Sequence, residues 1–232
     1  MMIHEEIVHV CGIPKKLIIF LHGYLDDCSS LDAKLLPFRE NLHDCALHIP
    51  QAPHKCEVGK GMRQWYSMYR FDPNYERRDV KTFDDFLCYY DRMGLGLEET
   101  YQYLLPYIEQ TLSEYNLDYN DLILCGFSQG AMVALYTALI NPHKISGLVS
   151  FSGILAGHQR VLKYAKNNPD TLLIHGKSDK SLRPEALRFT EKQLQSLGCN
   201  VQTHIFNHCD HELNEEGLRI ASEFVNQHSG TK

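Results

Sequence analysis

Short runs of consecutive apolar residues, alternating with stretches of helical spacing, constrain the fold of this 232-residue chain most strongly. The first run is Leu17–Leu21, and comparable runs occur at 122–125, 145–151 and 172–176. Strands that are apolar on both faces are typical of parallel sheets covered on both sides. The sequence therefore predicts an α/β fold with a mostly parallel central sheet and helices on both faces, formed as one domain over residues 1–232.

A serine lies where one of these runs meets the following helical stretch. The pentapeptide 126–130 reads G-F-S-Q-G and connects the run at 122–125 to helical spacing over 131–140. A sharp strand-to-helix turn with glycine two residues to either side displays the serine hydroxyl at the top of a sheet, with helix N–H groups behind it. Ser128 is therefore the candidate nucleophile, and a structural glycine-rich turn is the alternative.

A nucleophilic serine needs a histidine base and an acid that orients the base. In a parallel sheet both partners should follow strands, with the acid before the histidine in the chain. Asp179 follows the run at 172–176, whereas Asp170 precedes that run and belongs to the opposite end of the sheet. Asp179 is the predicted acid, with a turn-capping role as the alternative. His211, directly before the last helical stretch, is the predicted base, and His208 in the same loop is the alternative.

Acyl transfer also needs N–H groups aimed at the negative charge that develops on the carbonyl oxygen. The backbone N–H of Gln129 follows the candidate nucleophile directly. The N–H of Tyr24 lies in the loop after the first apolar run, where Gly23 permits close approach. We expect these two groups to form the oxyanion hole. A plain strand-ending turn at 22–23 is the alternative.

The loop around His211 also has the composition of a metal site. The residues concerned are His204, His208, Cys209, Asp210 and His211. Histidines four residues apart share a face only on a helix, whereas this stretch has the pattern of a strand followed by a turn. We therefore predict no metal. Because the sequence contains no glycine-rich nucleotide loop, we predict no cofactor either.

The net charge, the lengths of the apolar runs and the cysteine spacing argue against several classes of partner and location. The formal net charge of −6 disfavours nucleic acid and anionic membranes. The longest apolar run is too short to span a bilayer, so no integral membrane segment is expected. The first residues lack the basic-then-apolar order of a secretory signal peptide, and the eight cysteines include no C-x-x-C pair. We expect a cytoplasmic protein with reduced thiols. The oligomeric state is left open, a homodimer included.

Several motifs together resemble the phospholipase/carboxylesterase family of α/β-hydrolases, which includes acyl-protein thioesterases. They are L-H-G-Y at 21–24, P-Q-A-P at 50–53, G-M-R-x-W-Y at 61–66, G-F-S-Q-G-A at 126–131, S-G at 152–153, H-G-x-x-D at 175–179 and H-E at 211–212. They occur in the family's order and extend over most of the chain. The resemblance implies an α/β-hydrolase fold with Ser128, Asp179 and His211 as the triad and with Tyr24 and Gln129 at the oxyanion hole.

The predicted reaction is hydrolysis of a carboxylic ester, which includes lysophospholipids and acyl thioesters, through an acyl-enzyme. A long loop is expected at 51–69, as the wall or lid of a site. The candidates for an apolar acyl wall, each with core packing as the alternative, are Leu25, Met62, Trp65, Tyr66, Ile154 and Leu155. Leu25 stands where the family usually has glycine, and its side chain would either narrow the acyl site or shift the oxyanion loop. The segment at 71–93 is rich in charged and aromatic residues and is a candidate lid.

Two other kinds of function compete with this prediction. One is a different hydrolase of the same fold, for instance a small-ester hydrolase, a dienelactone-type hydrolase or a peptidase. Dienelactone enzymes typically carry a cysteine nucleophile, whereas this chain has Ser128. The other is a non-catalytic binding protein on a hydrolase scaffold, which would not require all three triad residue types at compatible places.

Overall fold

A seven-stranded sheet crosses the centre of the protein, whose computed structural model describes Ile3 and residues 5–71 and 80–228. The strands of this sheet are β1 (Glu6–Cys11), β2 (Lys16–Leu21), β3 (Cys45–Pro50), β6 (Leu122–Phe127), β7 (Gly147–Phe151), β8 (Thr171–Gly176) and β9 (Val201–Phe206). Two short strands, β4 (His54–Lys55) and β5 (Arg63–Gln64), form a separate hairpin. The spatial order in the large sheet is β1-β3-β2-β6-β7-β8-β9. Only β1 runs antiparallel to its neighbour. The predicted, mostly parallel sheet is confirmed.

Helices cover both faces of this sheet. They are α1 (Cys28–Lys34), α2 (Leu36–Arg39), α3 (Met68–Phe71), α4 (Phe83–Asp91), α5 (Gly94–Glu114), α6 (Gln129–Ile140), α7 (His158–Tyr164), α8 (Glu185–Ser196) and α9 (Glu215–Gln227). One buried apolar cluster lies under α4, α5, α6 and α8, and the other lies under α1, α2 and α9. No helix in the described ranges is long and apolar enough to cross a membrane.

The continuous apolar runs arise because successive strand residues enter opposite cores. In β2, Leu17, Ile19 and Leu21 join one cluster, whereas Ile18 and Phe20 join the other. Successive side chains of a strand point to opposite faces, so nearly every side chain of a central strand covered on both sides enters one core or the other. The strands β2, β6 and β8 are therefore buried over nearly their whole length, whereas β9 at the edge is only half buried.

Two regions differ from the pattern visible in the sequence. The edge strand β1 alternates exposed with half-buried residues, so it lacks the apolar run that marks the central strands. The predicted loop at 51–69 contains the short hairpin β4–β5 and the start of α3. Two-residue strands are too short for any periodicity to appear in the sequence.

The candidate lid at 71–93 lies partly outside the described residues, which omit 72–79. Within its described part, Phe83 in α4 packs edge-on against Phe189 of α8, with ring centroids 6.3 Å apart. The guanidinium of Arg183 donates a hydrogen bond of 2.9 Å to the carbonyl oxygen of Val80. α4 is thus held next to the loop between β8 and α8. A lid function for it stays a prediction.

Candidate active site

Ser128 lies at a strained turn between β6 and α6. Its backbone angles are φ 55° and ψ −115°, a region that non-glycine residues rarely occupy. A Cβ atom at Gly126 would lie 2.4 Å from the carbonyl carbon of Gly130, and one at Gly130 would lie 2.2 Å from the carbonyl oxygen of Leu21. Both glycines are therefore needed for α6 to start this close to β2 and β6. The turn leaves the Ser128 hydroxyl at the carboxyl end of the sheet.

The structure brings Ser128, His211 and Asp179 together in one hydrogen-bonded row. His211 lies in the loop between β9 and α9, and its Nε2 is 2.8 Å from Ser128 Oγ. The other ring nitrogen, Nδ1, is 2.7 Å from Oδ2 of Asp179, in the loop after β8. The three residues come from three different loops and are up to 83 positions apart in the chain.

Asp179 is held as a carboxylate by the groups around it. Burial opposes its ionisation, but hydrogen bonds from His175, His211 and the Leu182 N–H outweigh burial and bring the pKa of Asp179 well below its usual range. The N–H groups of Ser181 and Leu182 donate to Oδ1 at 2.8 and 2.7 Å. An ionised carboxylate only accepts hydrogen bonds. The proton of a neutral His211 ring therefore lies on Nδ1, and its Nε2 lone pair can accept the Ser128 hydroxyl proton.

Gly176 allows the loop that carries His211 to cross the end of β8. A Cβ atom at Gly176 would lie 2.4 Å from the carbonyl oxygens of Cys209 and Asp210. Asp210 Oδ1 accepts the N–H groups of Lys180 and His211 at 3.0 and 2.9 Å, which joins the two loops. The His211–Asp179 distance therefore depends on a close backbone crossing.

The loop after β2 lies against the nucleophile from the other side. A Cβ atom at Gly23 would lie 3.5 Å from Ser128 Cβ, so the chain at Gly23 packs beside Ser128. The Leu25 N–H donates to the carbonyl oxygen of Arg63 at 3.2 Å, which ties this loop to β5. Tyr24 follows Gly23 in this loop, and Gln129 follows Ser128 at the start of α6. Their role as oxyanion donors stays a prediction.

The side chain of Gln129 binds the backbone of the loop at 51–69. Its Oε1 accepts the Trp65 N–H at 2.9 Å, and its Nε2 donates to the Tyr66 carbonyl oxygen at 3.0 Å. The Trp65 indole N–H donates to the carbonyl oxygen of His22 at 2.9 Å. The His22 ring in turn accepts the Ala52 N–H at 3.0 Å. The residue after the nucleophile therefore also fixes the loop that was predicted to border the site.

The predicted acyl-wall residues separate into two groups. Trp65, Ile154 and Leu155 are fully buried, and Tyr66 is 2% exposed, so these four pack in the core. Leu25 and Met62 are 40% and 37% exposed. Both approach Gly59, where a Cβ atom would lie 3.2 Å from Leu25 Cδ2 and 3.2 Å from Met62 Cγ. The exposed pair thus lies at the hairpin beside the Tyr24 loop. Contact of either group with a substrate stays a prediction.

The alternatives for the base and the metal lie elsewhere. His204 is in β9, and His208 is exposed at a turn with φ 62°. His228 Nε2 is 3.1 Å from Oδ2 of Asp170, and this His–Asp pair lies at the opposite end of the sheet. Over the described ranges, no group of three His, Cys, Asp or Glu side chains could hold a metal ion.

Three buried polar side chains had no predicted role. His22, Gln129 and His175 are each at most 2% exposed, and each makes side-chain hydrogen bonds to the backbone of a site loop. The signal available in the sequence was their place at the end of an apolar run or directly after the nucleophile. Their partners are too distant along the chain to be inferred from spacing.

Comparisons with known proteins agree with this architecture. The phospholipase/carboxylesterase family profile matches residues 2–229. Acyl-protein thioesterase 1 of Saccharomyces cerevisiae is 29% identical over 203 residues, which cover 83% of this chain and 82% of the relative. Acyl-protein thioesterase 1 of Debaryomyces hansenii is 25% identical over 223 residues, covering 91% and 90%.

Solved structures show the same fold. Esterase PE8 superposes with a TM-score of 0.81 at 28% identity, over 97% of both chains. Acyl-protein thioesterase 2 of Zea mays superposes with a TM-score of 0.66 at 18% identity, over 97% of this chain and 99% of the other, and at that identity it shows the fold alone. The chain therefore belongs to the phospholipase/carboxylesterase family and has the α/β-hydrolase fold.

Proposed function

We propose that this protein hydrolyses carboxylic esters or acyl thioesters through an acyl-enzyme formed on Ser128. The observation that carries the proposal is the position of His211, whose ring nitrogens lie 2.8 Å from Ser128 Oγ and 2.7 Å from Asp179 Oδ2. A base between a hydroxyl nucleophile and a buried carboxylate is the arrangement that acyl transfer requires.

The first half of the reaction forms the acyl-enzyme. Ser128 Oγ attacks the carbonyl carbon while its proton passes to His211 Nε2. Asp179 keeps the other ring proton on Nδ1 and stabilises the imidazolium. The N–H groups of Tyr24 and Gln129 donate to the oxyanion. The C–O or C–S bond then breaks, and the leaving alcohol or thiol takes the proton from His211.

The second half returns the enzyme to its starting state. A water molecule gives one proton to His211 Nε2 and attacks the acyl carbon. The bond between that carbon and Ser128 Oγ breaks, and the serine recovers its proton from His211. The products are a carboxylic acid and an alcohol or thiol. No redox step or added cofactor enters this balance.

Ester and thioester substrates are supported by the relatives, which carry the names acyl-protein thioesterase and esterase. The exposed side chains of Leu25 and Met62, 40% and 37% accessible beside the Tyr24 loop, are the proposed contacts for the first carbons of the acyl chain. The eight cysteines are all free, which supports the proposed cytoplasmic location, because disulfides are rare there.

The decisive experiment compares wild type with Ser128→Ala. We expect wild type to cleave short p-nitrophenyl esters and a matched thioester, and to be labelled at Ser128 by a fluorophosphonate. Ser128→Ala should lose at least about a thousandfold in kcat and all labelling. The control is Ser113→Ala, an exposed serine on α5 that should retain full activity.

Each contrary outcome points to a named rival. Appreciable activity in Ser128→Ala would refute the acyl-enzyme on Ser128. A folded wild type that is neither labelled nor active on any ester would favour a non-catalytic binding protein. Activity confined to lactones or peptides would favour another hydrolase of the same fold.

A further inference from the structure

His175, one residue before the end of β8, is buried against the Asp179 carboxylate. Its Nε2 lies 3.0 Å from the carbonyl oxygen of Leu182 and 3.3 Å from Asp179 Oδ2. The side chains of His175 and Asp179 are 1% and 0% exposed. Because a carbonyl oxygen only accepts, the proton of the neutral His175 ring lies on Nε2. One N–H group therefore faces two acceptors of the same short loop.

The loop after β8 is held around the carboxylate from both sides. Ser181 and Leu182 donate their N–H groups to Asp179 Oδ1, while the Leu182 carbonyl accepts from His175. Oδ2 is shared between His175 and His211. Rotation of the carboxylate away from His211 would therefore also take Oδ2 away from His175.

We propose that His175 is a positioning residue that keeps Asp179 Oδ2 directed at His211. The inference rests on the proposed function, because it assigns His175 a role in orienting the base of the Ser128 reaction. His175 does not touch the reacting atoms. It acts through Asp179 and through the loop that ends at Leu182.

The charges near this carboxylate determine what loss of the His175 N–H would do. The titratable groups that face Asp179 are His175 from β8 and His211 and Cys209 from the loop before α9. Burial raises the pKa of the Cys209 thiol, which is therefore neutral. Asp210 is occupied by the backbone N–H groups of Lys180 and His211. Removing the His175 donor thus frees the carboxylate to turn away from His211, which moves the negative charge farther from the imidazole and disfavours the protonated ring.

The test uses two amide substitutions that differ in reach. The amide nitrogen of His175→Gln can occupy roughly the place of the imidazole Nε2, whereas the shorter His175→Asn cannot reach Leu182 O. The readout is the pH profile of kcat/KM for a p-nitrophenyl ester, normalised to the sites that a fluorophosphonate labels. Normalisation removes any difference in the fraction of folded protein.

We expect His175→Asn to lose about ten- to a hundredfold in kcat/KM, as small misplacements of reacting groups do. The acid limb of its profile should move to lower pH by about half a unit or more, because a carboxylate that has turned away stabilises the imidazolium less. His175→Gln should restore most of the rate and the wild-type limb. The control is His48→Asn, which removes a histidine of similar burial in β3 that bonds Glu6 and Tyr115. It should lower stability and leave the profile unchanged.

Equal kcat/KM values and pH profiles for His175→Asn and His175→Gln would overturn the proposal. They would mean that an N–H group at the position of the imidazole Nε2 makes no difference to the reaction. A wild-type profile in His175→Asn, or failure of both variants to fold, would overturn it as well. These outcomes leave the Ser128 reaction intact as long as Ser128→Ala is inactive. Activity in Ser128→Ala would refute the proposed function itself.

Discussion

The side-chain amide of Gln129 spans from the nucleophile turn to Trp65, whose N–H it accepts at 2.9 Å while donating to the next carbonyl at 3.0 Å. The side chain of the residue that follows Ser128 thus holds the loop at 51–69 against α6. Its backbone N–H is a predicted oxyanion donor. A change in the side chain can therefore be studied without removing the backbone donor.

Gln129→Ala should release this loop. Two buried backbone groups of Trp65 and Tyr66 would lose a partner, at a cost of about 1–3 kcal/mol each in the free energy of unfolding. Urea unfolding measures the cost, and trypsin should cleave the variant within 51–69 faster than wild type. Gln110→Ala, on the exposed face of α5, is the control and should change neither. Unchanged stability and protection in Gln129→Ala would contradict a clamping role.

Asp179→Asn should lower kcat by about a thousand- to ten-thousandfold, because a neutral amide no longer stabilises the imidazolium and allows the wrong tautomer of His211. The comparison is Asp170→Asn, which changes a His–Asp pair with His228 at the far end of the sheet. That variant should retain the wild-type rate with p-nitrophenyl esters. Equal rates for the two variants would show that His211 does not depend on Asp179.

Gly176→Ala should separate the two loops that carry the triad. The new methyl group would lie 2.4 Å from two carbonyl oxygens, so the chain at Cys209 and Asp210 must move outward and take His211 with it. We expect a loss of about a hundredfold in kcat/KM, typical of a misplacement of about 1 Å. Gly198→Ala, at φ 84° in the loop before β9, should cost about 1–2 kcal/mol of stability and no activity. A fully active Gly176→Ala would show that the crossing can relax.

The buried ring of His22 should make the folded protein less stable in mild acid. Burial lowers its pKa, only partly offset by its bond to the Gly23 carbonyl, and its Nε2 must stay unprotonated to accept the Ala52 N–H. As pH falls below about 6.5, the unfolded chain binds a proton at this site that the folded protein does not. The free energy of unfolding then decreases by up to about 1.4 kcal/mol per pH unit.

Urea unfolding between pH 7.5 and 5.5 tests this linkage. His22→Asn should be less stable at neutral pH but show a shallower decline in acid, since the site no longer titrates. His43→Asn, at an exposed position, should keep the wild-type slope. Parallel curves for wild type and His22→Asn would rule out the linkage.

Leu25→Gly should allow the enzyme to accept longer acyl chains. Leu25 has φ 59°, a conformation that glycine adopts without strain, so relief of about 1–2 kcal/mol offsets the lost apolar contact with the hairpin. We expect stability close to wild type and a rise in kcat/KM for long acyl chains relative to short ones. A p-nitrophenyl ester series measures the ratio. An unchanged ratio would place the acyl chain away from Leu25.

The central sheet was predictable because strands buried on both faces consist mostly of apolar residues, as in Leu17–Leu21. The edge strand Glu6–Cys11 and the hairpin at 54–64 escaped prediction. The edge strand is exposed or half-buried throughout, so it has no continuous apolar run. The strands of the hairpin have two residues each, which is too short for any hydrophobic periodicity to appear. The order of the strands in the sheet could not be predicted from the sequence either. β3 lies between β1 and β2 because of tertiary packing, and no local sequence signal indicates this position.

The residue types of the site and their order along the chain can be read from the sequence. A strained serine turn requires nearby glycines, Asp179 follows an apolar run, and His211 directly precedes the last helical stretch. Distances cannot be read in this way. Whether His211 or His208 faces Ser128 depends on how closely the last loop crosses Gly176. Likewise, the ionised state of Asp179 depends on donors from His175, Leu182 and His211 that converge only when β8 and β9 are packed side by side. Tertiary packing determines these contacts because each joins groups whose separation in the chain carries no information about their separation in space.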